Sequence, residues 1–343
     1  MSQILSKKII AWYQKHQRKL PWRVYKSSSD RDYRVLLSEI MLQQTKVSTV
    51  IPYFNKFYKK FSTIKSLSKS RITSVLKLWQ GLGYYQRARN LHQIAKIVSQ
   101  KFGGKLPDSF SDLKNLPGIG DYTASAILSI AKNKPFIGID GNVKRLISRI
   151  FFINYDSKLI LNIEKKLNLM KVKIGSSDLM QGLMELGALI CLVKEPMCKL
   201  CPLKADCISY KKNMFVLKNK TRTVVKKYFY ALYAQKGSRI LFTLNNKFKF
   251  LSGLINLPLI ESKNKNYKTI IKKNFKKVII ENIIDNSFNY RMSNFIMYIK
   301  ILRTKKIIFD KKNYFWLDKK KLNNFTVSIL TRKLLQFASK YEQ

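Results

Sequence analysis

"NLPGIGDYTASAIL", residues 115–128, is the stretch whose reading decides the fold. A Pro-Gly-x-Gly turn stands between two apolar helical stretches, so two helices meet at a tight hairpin. Glycine permits the turn and lets the backbone approach a ligand, and successive free N–H groups at a helix start can hold a phosphate. Gly118 and Gly120 are therefore candidate contacts to a nucleic-acid backbone. Alone, such a turn is more often an ordinary loop. Its weight comes from "GIDGNVKR" (138–145), a glycine-containing loop with an aspartate, one helix further on.

Outward from the hairpin, apolar residues recur at i, i+3 and i+4 from Ile4 to about Phe215, with short breaks such as "QGLGYY" (80–85). This periodicity predicts an all-α region over residues 1–215. After the basic stretch at 216–227 the composition shifts to β-branched and aromatic runs: "YFYALYA" (228–234), "RILFTL" (239–244), "FIMYIKILR" (295–303) and "YFWL" (314–317). A linker followed by an α+β domain over 228–343 is expected, and no internal repeat is visible.

The chain carries 67 Lys+Arg against 19 Asp+Glu, a formal charge of +48. A field of that sign concentrates a protein on polyanions, nucleic acid first among them. Lys, Asn and Ile also crowd stretches such as "NKNYKTIIKKNFKKVIIENIIDN" (264–286), so a compositional bias explains the charge about as well. No apolar run approaches the roughly 18 to 20 residues of a membrane span, and no signal-peptide pattern opens the chain; a cytoplasmic, nucleoid-associated protein is expected.

All four cysteines fall in one loop, Cys191-x6-Cys198-x2-Cys201-x5-Cys207. Clustered thiolates suit tetrahedral zinc or an iron–sulfur cluster. Zinc sites usually pair two Cys-x2-Cys knuckles or add histidine; here there is one knuckle, and His16 and His92 are distant.

Two carboxylates stand out. Glu39 lies in "RVLLSEIMLQQT" (34–45), where Leu36, Leu37, Ile40 and Met41 mark a core helix and Gln43 shares its face. A desolvated carboxyl there favours its protonated form and suits a general acid, although a lone Glu more often reaches solvent. Asp140 precedes "GNVKRLISRIF", the usual place of an N-cap, where the helix end keeps it ionised. Opposed protonation states make an acid and a cation stabiliser. Whether the two meet is not visible in the sequence.

"SEIMLQQT", "GLGYYQRARNL", "LPGIGDYTASAIL", "IDGNVKR" and "MELGALIC", together with the cysteine spacing, resemble the adenine DNA glycosylases of the helix–hairpin–helix, endonuclease III superfamily over most of the first 210 residues. The resemblance implies an all-α helix–hairpin–helix glycosylase core and a [4Fe–4S] cluster held by Cys191, Cys198, Cys201 and Cys207. It also implies a degenerate Nudix-like α+β domain, and a base-excision activity on adenine opposite 8-oxoguanine or G in double-stranded DNA, by a monomer. Glu39 would protonate N7 of the flipped adenine and Asp140 would stabilise the sugar cation. Asn142 and Tyr122 match residues beside the reacting centre.

Bifunctional relatives place a lysine at position 122, so Tyr122 implies a monofunctional enzyme. Lys144 matches a lysine not expected to be catalytic. Gln43, Gln44 and Tyr84 match residues that wedge into the duplex, while Trp22, Arg23 and Gln181 match the adenine-pocket wall. Gln181 departs from the glutamate of some members. In the C-terminal domain Ser293, within Met292-Ser293-Asn294, replaces a Phe-Ser-His recognition loop, implying weakened discrimination of 8-oxoguanine from guanine. Glu261 and Glu281 are too few carboxylates for a Nudix hydrolase. Two rivals stay open: an endonuclease III-like enzyme acting on oxidised pyrimidines, and a noncatalytic cluster-bearing DNA-binding protein.

Overall fold

The computed structural model describes residues 2–215, 224–244, 248, 251, 253–262, 275, 277–292, 295–309 and 313–341. Within it the chain forms two compact units, Met1–Ser70 with Arg89–Asn219 and Arg71–Ala88 with Lys220–Gln343. The expected linker lies largely outside the described residues.

The first unit is helical, as the periodicity predicts. In order it contains α1 (Ser2–His16), a 3-10 turn (Pro21–Arg23), α2 (Ser28–Leu42), α3 (Val47–Lys60) and α4 (Ile64–Ser68). Helix α5 (Ile72–Leu78) belongs to the other unit, and α6 (Gln86–Lys101) and α7 (Phe110–Lys114) follow. Helix α8 (Asp121–Ala126) runs on as a π-helical stretch, Ile127–Ala131. Then come α9 (Gly141–Phe151), α10 (Leu159–Met170), α11 (Ser176–Glu185) with a π-helical extension Leu186–Ile190, and α12 (Ile208–Lys211).

Helix α2 is buried at every position from Asp32 to Met41, so it is the central helix that its neighbours wrap, and anything polar on it is desolvated. Ser27 starts it by accepting from the Asp30 backbone N–H. On α9, Val143, Leu146, Ile147 and Ile150 repeat at helical spacing and pack with Leu5 and Ile9 of α1 and Leu183 of α11. That packing fixes the α9 start, and therefore Asp140, against the end of α11.

The hairpin read from residues 115–128 joins α7 to α8. Gly118 sits at φ +79°, a backbone conformation that L side chains rarely adopt, with the Asn90 side chain of α6 against it. The position thus favours glycine for its backbone angle.

In the second unit six strands form one mixed sheet ordered β4-β5-β1-β2-β6, with β3 also pairing β1. The strands are β1 (Val225–Lys236), β2 (Arg239–Thr243), β3 (Leu259–Ser262), β4 (Lys277–Arg291), β5 (Phe295–Ile308) and β6 (Tyr314–Asp318). Each apolar run named in the sequence lies wholly or mainly in a strand, and β1 runs parallel to β5 at the sheet centre. Phe229, Ala231 and Tyr233 pack on one side with Met297, Ile299 and Leu334 of the last helix, α13 (Ile329–Ser339). Tyr230 and Leu232 pack on the other, so β1 is apolar on both faces. The α+β class expected for this half holds.

One grouping departs from the sequence reading. Residues 71–88, periodic like the rest of the helical region, group with the sheet unit, where Gln80 Nε2 donates to the Val327 carbonyl at 3.1 Å. An apolar helical stripe says that a face is buried but does not name what buries it. Among the described residues no helix is long and apolar enough to cross a membrane.

Candidate active site

Glu39 projects from the buried stretch of α2 and is 5% exposed. Burial, the largest cause, and the nearby Asp140 charge push its carboxyl up to about 7, against weaker pulls from the Tyr122 hydrogen bond and Arg23. Tyr122 arrives from α8. Its hydroxyl meets Glu39 and lies 3.7 Å from Met184 Sδ, and burial with two carboxyl neighbours keeps the phenol protonated. Gly138 makes room for that ring: a Cβ on it would lie 2.9 Å from Tyr122 Cδ2.

Asp140 caps α9. Its Oδ1 accepts from the Asn142 N–H at 2.9 Å and the Val143 N–H at 2.7 Å, while Asn142 Nδ2 donates to Oδ2 at 3.1 Å. Both oxygens thus accept hydrogen bonds, and a cap of this kind contributes about 1 kcal/mol to a helix. Glu39, Tyr122 and the Asp140–Asn142 pair, from three separate sequence segments, come together.

A hollow enclosing about 470 Å³, its open mouth included, lies at Glu39. Trp22, Arg23, Gln181, Met184 and Glu185 are among its walls. Arg23 organises one side: Nε donates to Gln181 Oε1 at 2.8 Å, Nη2 to Glu185 Oε1 at 2.8 Å, and Nη1 to the Arg18 carbonyl at 3.0 Å. Glu185 is fully buried and also meets Arg18 Nε at 2.8 Å. Trp22 is both wall and core, its ring edge-on to Phe54.

The expected DNA-facing residues divide. Gln43 Nε2 reaches the Gly118 carbonyl at 3.3 Å, which ties the end of α2 to the hairpin, and the exposed Gln44 beside it is held at φ +57°. Gly120 precedes α8 as its N-cap. Tyr84 lies in the segment that groups with the sheet unit, at φ +48° and 41% exposed. Lys144 turns its ammonium onto the Tyr155 ring, 5.6 Å from the centroid. Ser293 and Asn294 lie outside the described residues; Met292 packs against the sheet core.

The four cysteines line a second hollow, about 370 Å³ with its open mouth included, together with Arg149, Tyr210 and Phe215. None is in a disulfide, and among the described residues no three Cys, His, Asp or Glu side chains form a site for a single metal ion. Four thiols lining one hollow are soft donors of the kind that hold an iron–sulfur cluster or zinc. Burial pushes the Cys201 thiol up to about 11 and raises Cys198 and Cys207. Arg149 Nη1 donates to Cys191 Sγ at 3.3 Å and its guanidinium also holds the Leu192 and Val193 carbonyls.

Arg145 links Asn142 to the cysteine loop. Its Nε donates to the Cys191 carbonyl at 2.8 Å, and Nη2 to the Gly187 carbonyl at 2.6 Å and to Asn142 Oδ1 at 2.9 Å. The sequence reading gave no role to Arg145, Arg149 or Glu185. Arg145 carried a signal, standing three residues after Asn142 on one helix face. Glu185 carried one too, as an acidic residue in an otherwise apolar "MELGALIC" (184–191).

A model of the HhH-GPD superfamily of base excision DNA repair proteins matches residues 37–170. An adenine DNA glycosylase of Buchnera aphidicola subsp. Baizongia pistaciae (strain Bp) is 39% identical over 89% of this chain and 88% of its own length. Another, from Buchnera aphidicola subsp. Schizaphis graminum (strain Sg), is 35% identical over 97% and 98%. Among solved structures, that of a thermostable thymine-DNA glycosylase is similar with TM-score 0.55 and 26% identity, over 62% of this chain and 97% of that one. With near full-length identity above a third, and with the helix–hairpin–helix in place, the chain belongs to the adenine DNA glycosylases, base excision repair enzymes of the HhH-GPD superfamily.

Proposed function

We propose that this chain hydrolyses the N-glycosidic bond of adenine mispaired with 8-oxoguanine or guanine in duplex DNA, after flipping the adenosine out of the helix. The observation that carries the reading is the pairing of a buried carboxyl raised to about 7 with a helix-capping carboxylate next to it. A hollow beside Glu39, walled by Trp22, Arg23 and Gln181, supports it further.

Glu39 gives its proton to adenine N7. The C1′–N9 bond then breaks with its electron pair going to the base, which leaves neutral. The sugar becomes an oxocarbenium ion that the Asp140 carboxylate stabilises or transiently bonds at C1′. Water adds to C1′, its proton returns to the ionised Glu39, and an abasic sugar remains. Positioned general acids of this kind contribute about 10² to 10⁴ in rate. Asn142 holds Asp140, and Tyr122 holds Glu39.

A phenol cannot form the imine that a lysine at position 122 would, so the enzyme is monofunctional and does not nick the strand. Trp22, Arg23 and Gln181 wall the base site; Gln43, Gln44 and Tyr84 contact the duplex, the hairpin with Gly118 and Gly120 holds a phosphate, and Lys144 is dispensable. Cys191, Cys198, Cys201 and Cys207 would hold a [4Fe–4S] cluster, which when bound ties the loop from 191 to 207 together. The sheet unit is a degenerate Nudix-like domain that meets the opposing base, with Ser293 offering a hydrogen bond.

The test is excision from duplexes carrying A opposite 8-oxoguanine, G or C, each split for alkali treatment. Strand breaks at adenine that need alkali are expected. Breaks without alkali, or cleavage of a thymine glycol duplex with borohydride-trapped protein, would favour the endonuclease III-like reading instead.

A further inference from the structure

Gln181 is buried in the wall of the Glu39 hollow, and both ends of its carboxamide are engaged. Arg23 Nε can only donate, so the atom 2.8 Å away is the amide oxygen. The amide nitrogen then faces Ser177 Oγ at 3.2 Å, and because it cannot accept, the serine oxygen must. Ser177 has a single proton, and the Ile130 carbonyl stands 3.3 Å away to take it. Arg31 Nη2 donates to the same serine oxygen at 3.0 Å.

The hydroxyl is therefore used in one sense only, giving one hydrogen bond and receiving two. Turning the Gln181 amide over would put an NH2 against the Arg23 N–H. It would also put a carbonyl against a hydroxyl whose proton is committed elsewhere. Ser177 itself is anchored, since its backbone N–H donates to Asn133 Oδ1 at 3.0 Å in the first turn of α11.

We infer that Ser177 is a positioning residue that locks the Gln181 carboxamide in one orientation, so that the hollow reads a 6-aminopurine and rejects a 6-oxopurine. The inference rests on the reading of the hollow as the adenine site. Locked this way, Gln181 keeps a second oxygen lone pair and a second N–H for the base. Adenine presents an N6–H donor beside an N1 acceptor, the complement of that pair. Hypoxanthine presents an O6 acceptor beside an N1–H donor and matches only the overturned amide. Neither Ser177 nor Arg31 need touch the base.

The experiment is single-turnover excision of adenine and of hypoxanthine from otherwise identical duplexes by the full chain, as wild type, S177A, S177C and S177T. The thermal midpoint of each variant is followed alongside. S177A and S177C, lacking a good acceptor, should each lose about tenfold of the adenine-to-hypoxanthine rate ratio, the worth of one hydrogen bond in this range. S177T, which keeps the hydroxyl, should retain the ratio.

A purely structural role would slow both bases together and leave the ratio alone. An unchanged ratio in a folded S177A overturns the inference while adenine excision by wild type stands. If S177A does not fold, an unchanged ratio in S177C overturns it equally. A wild type inert on every adenine duplex sinks the adenine reading itself, and this inference with it.

Discussion

Two hollows in the helical unit each carry groups whose proton burial helps to hold, Glu39 in one and Cys198, Cys201 and Cys207 in the other, and they are completed in different ways. At Glu39 the protein supplies the counter-charges itself: Arg18 and Arg23 balance Glu185, and Tyr122 and Arg23 temper the raised carboxyl. At the other hollow burial and the neighbouring sulfurs raise Cys198, Cys201 and Cys207, and among the described residues no carboxylate lines it. A site proposed to move one proton can be finished by side chains. The proposed cluster site would need its thiols deprotonated on binding, which would link folding of that loop to the metal.

The sharpest way to break this contrast is at the proton. Glu39→Gln should cut adenine excision by about 10³-fold with DNA affinity nearly unchanged. Excision within tenfold of wild type would remove Glu39 from the chemistry and leave a noncatalytic DNA-binding reading standing. The same variant tests stability with the opposite sign. Below about pH 4.5 both folded and unfolded Glu39 are neutral; between there and about 7 the unfolded chain ionises first, so the folded state loses ground as pH rises. At pH 8 Glu39→Gln should therefore be more stable than wild type by up to about 3 kcal/mol, an advantage that vanishes toward pH 4.5. Melting curves across that range check it.

Arg145 links Asn142 to the cysteine loop and should show it. Arg145→Met should lower excision by about 10- to 100-fold and also loosen the cysteine loop, seen as faster proteolysis near residues 191–207. Loss of one effect without the other would mean that the link is only spatial. Smaller still is the expected pH effect on rate: single-turnover excision should fall by about tenfold per pH unit above the Glu39 value and stay flat below it. A profile flat to pH 9 would contradict a proton donor titrating near 7. With the proposed cluster bound, stripping its iron by chelation should open the cysteine loop to protease while leaving the hydrogen bonds around Arg23 in place. The least effect is expected at Lys144, where replacement by alanine should change excision by less than about threefold, since its ammonium rests on Tyr155.

Much of this was legible beforehand. The helical periodicity, the glycine hairpin and the shift to β-branched runs marked the all-α and α+β halves, because spacing along one chain reports local conformation directly. The cysteine loop was legible for the same reason: all its members lie within one short span. The grouping of residues 71–88 with the sheet unit was not, since an apolar stripe is silent about its partner. Glu185 and Arg149 were missed because buried charges look like surface charges until their partners, Arg18 and Arg23 in one case and the cysteine loop in the other, are brought alongside.

By itself the sequence determined which residues are chemically able to act: a carboxyl on a core helix, a capping aspartate, a phenol where an amine would change the reaction, four clustered thiols. Only the tertiary structure decided that Glu39, Tyr122 and Asp140 share one site, that Arg145 ties that site to the cysteine loop, and that Ser177 orients Gln181. The physical reason is that ionisation and hydrogen-bond direction are set by what surrounds a group in space, and helices far apart in the chain supply those surroundings.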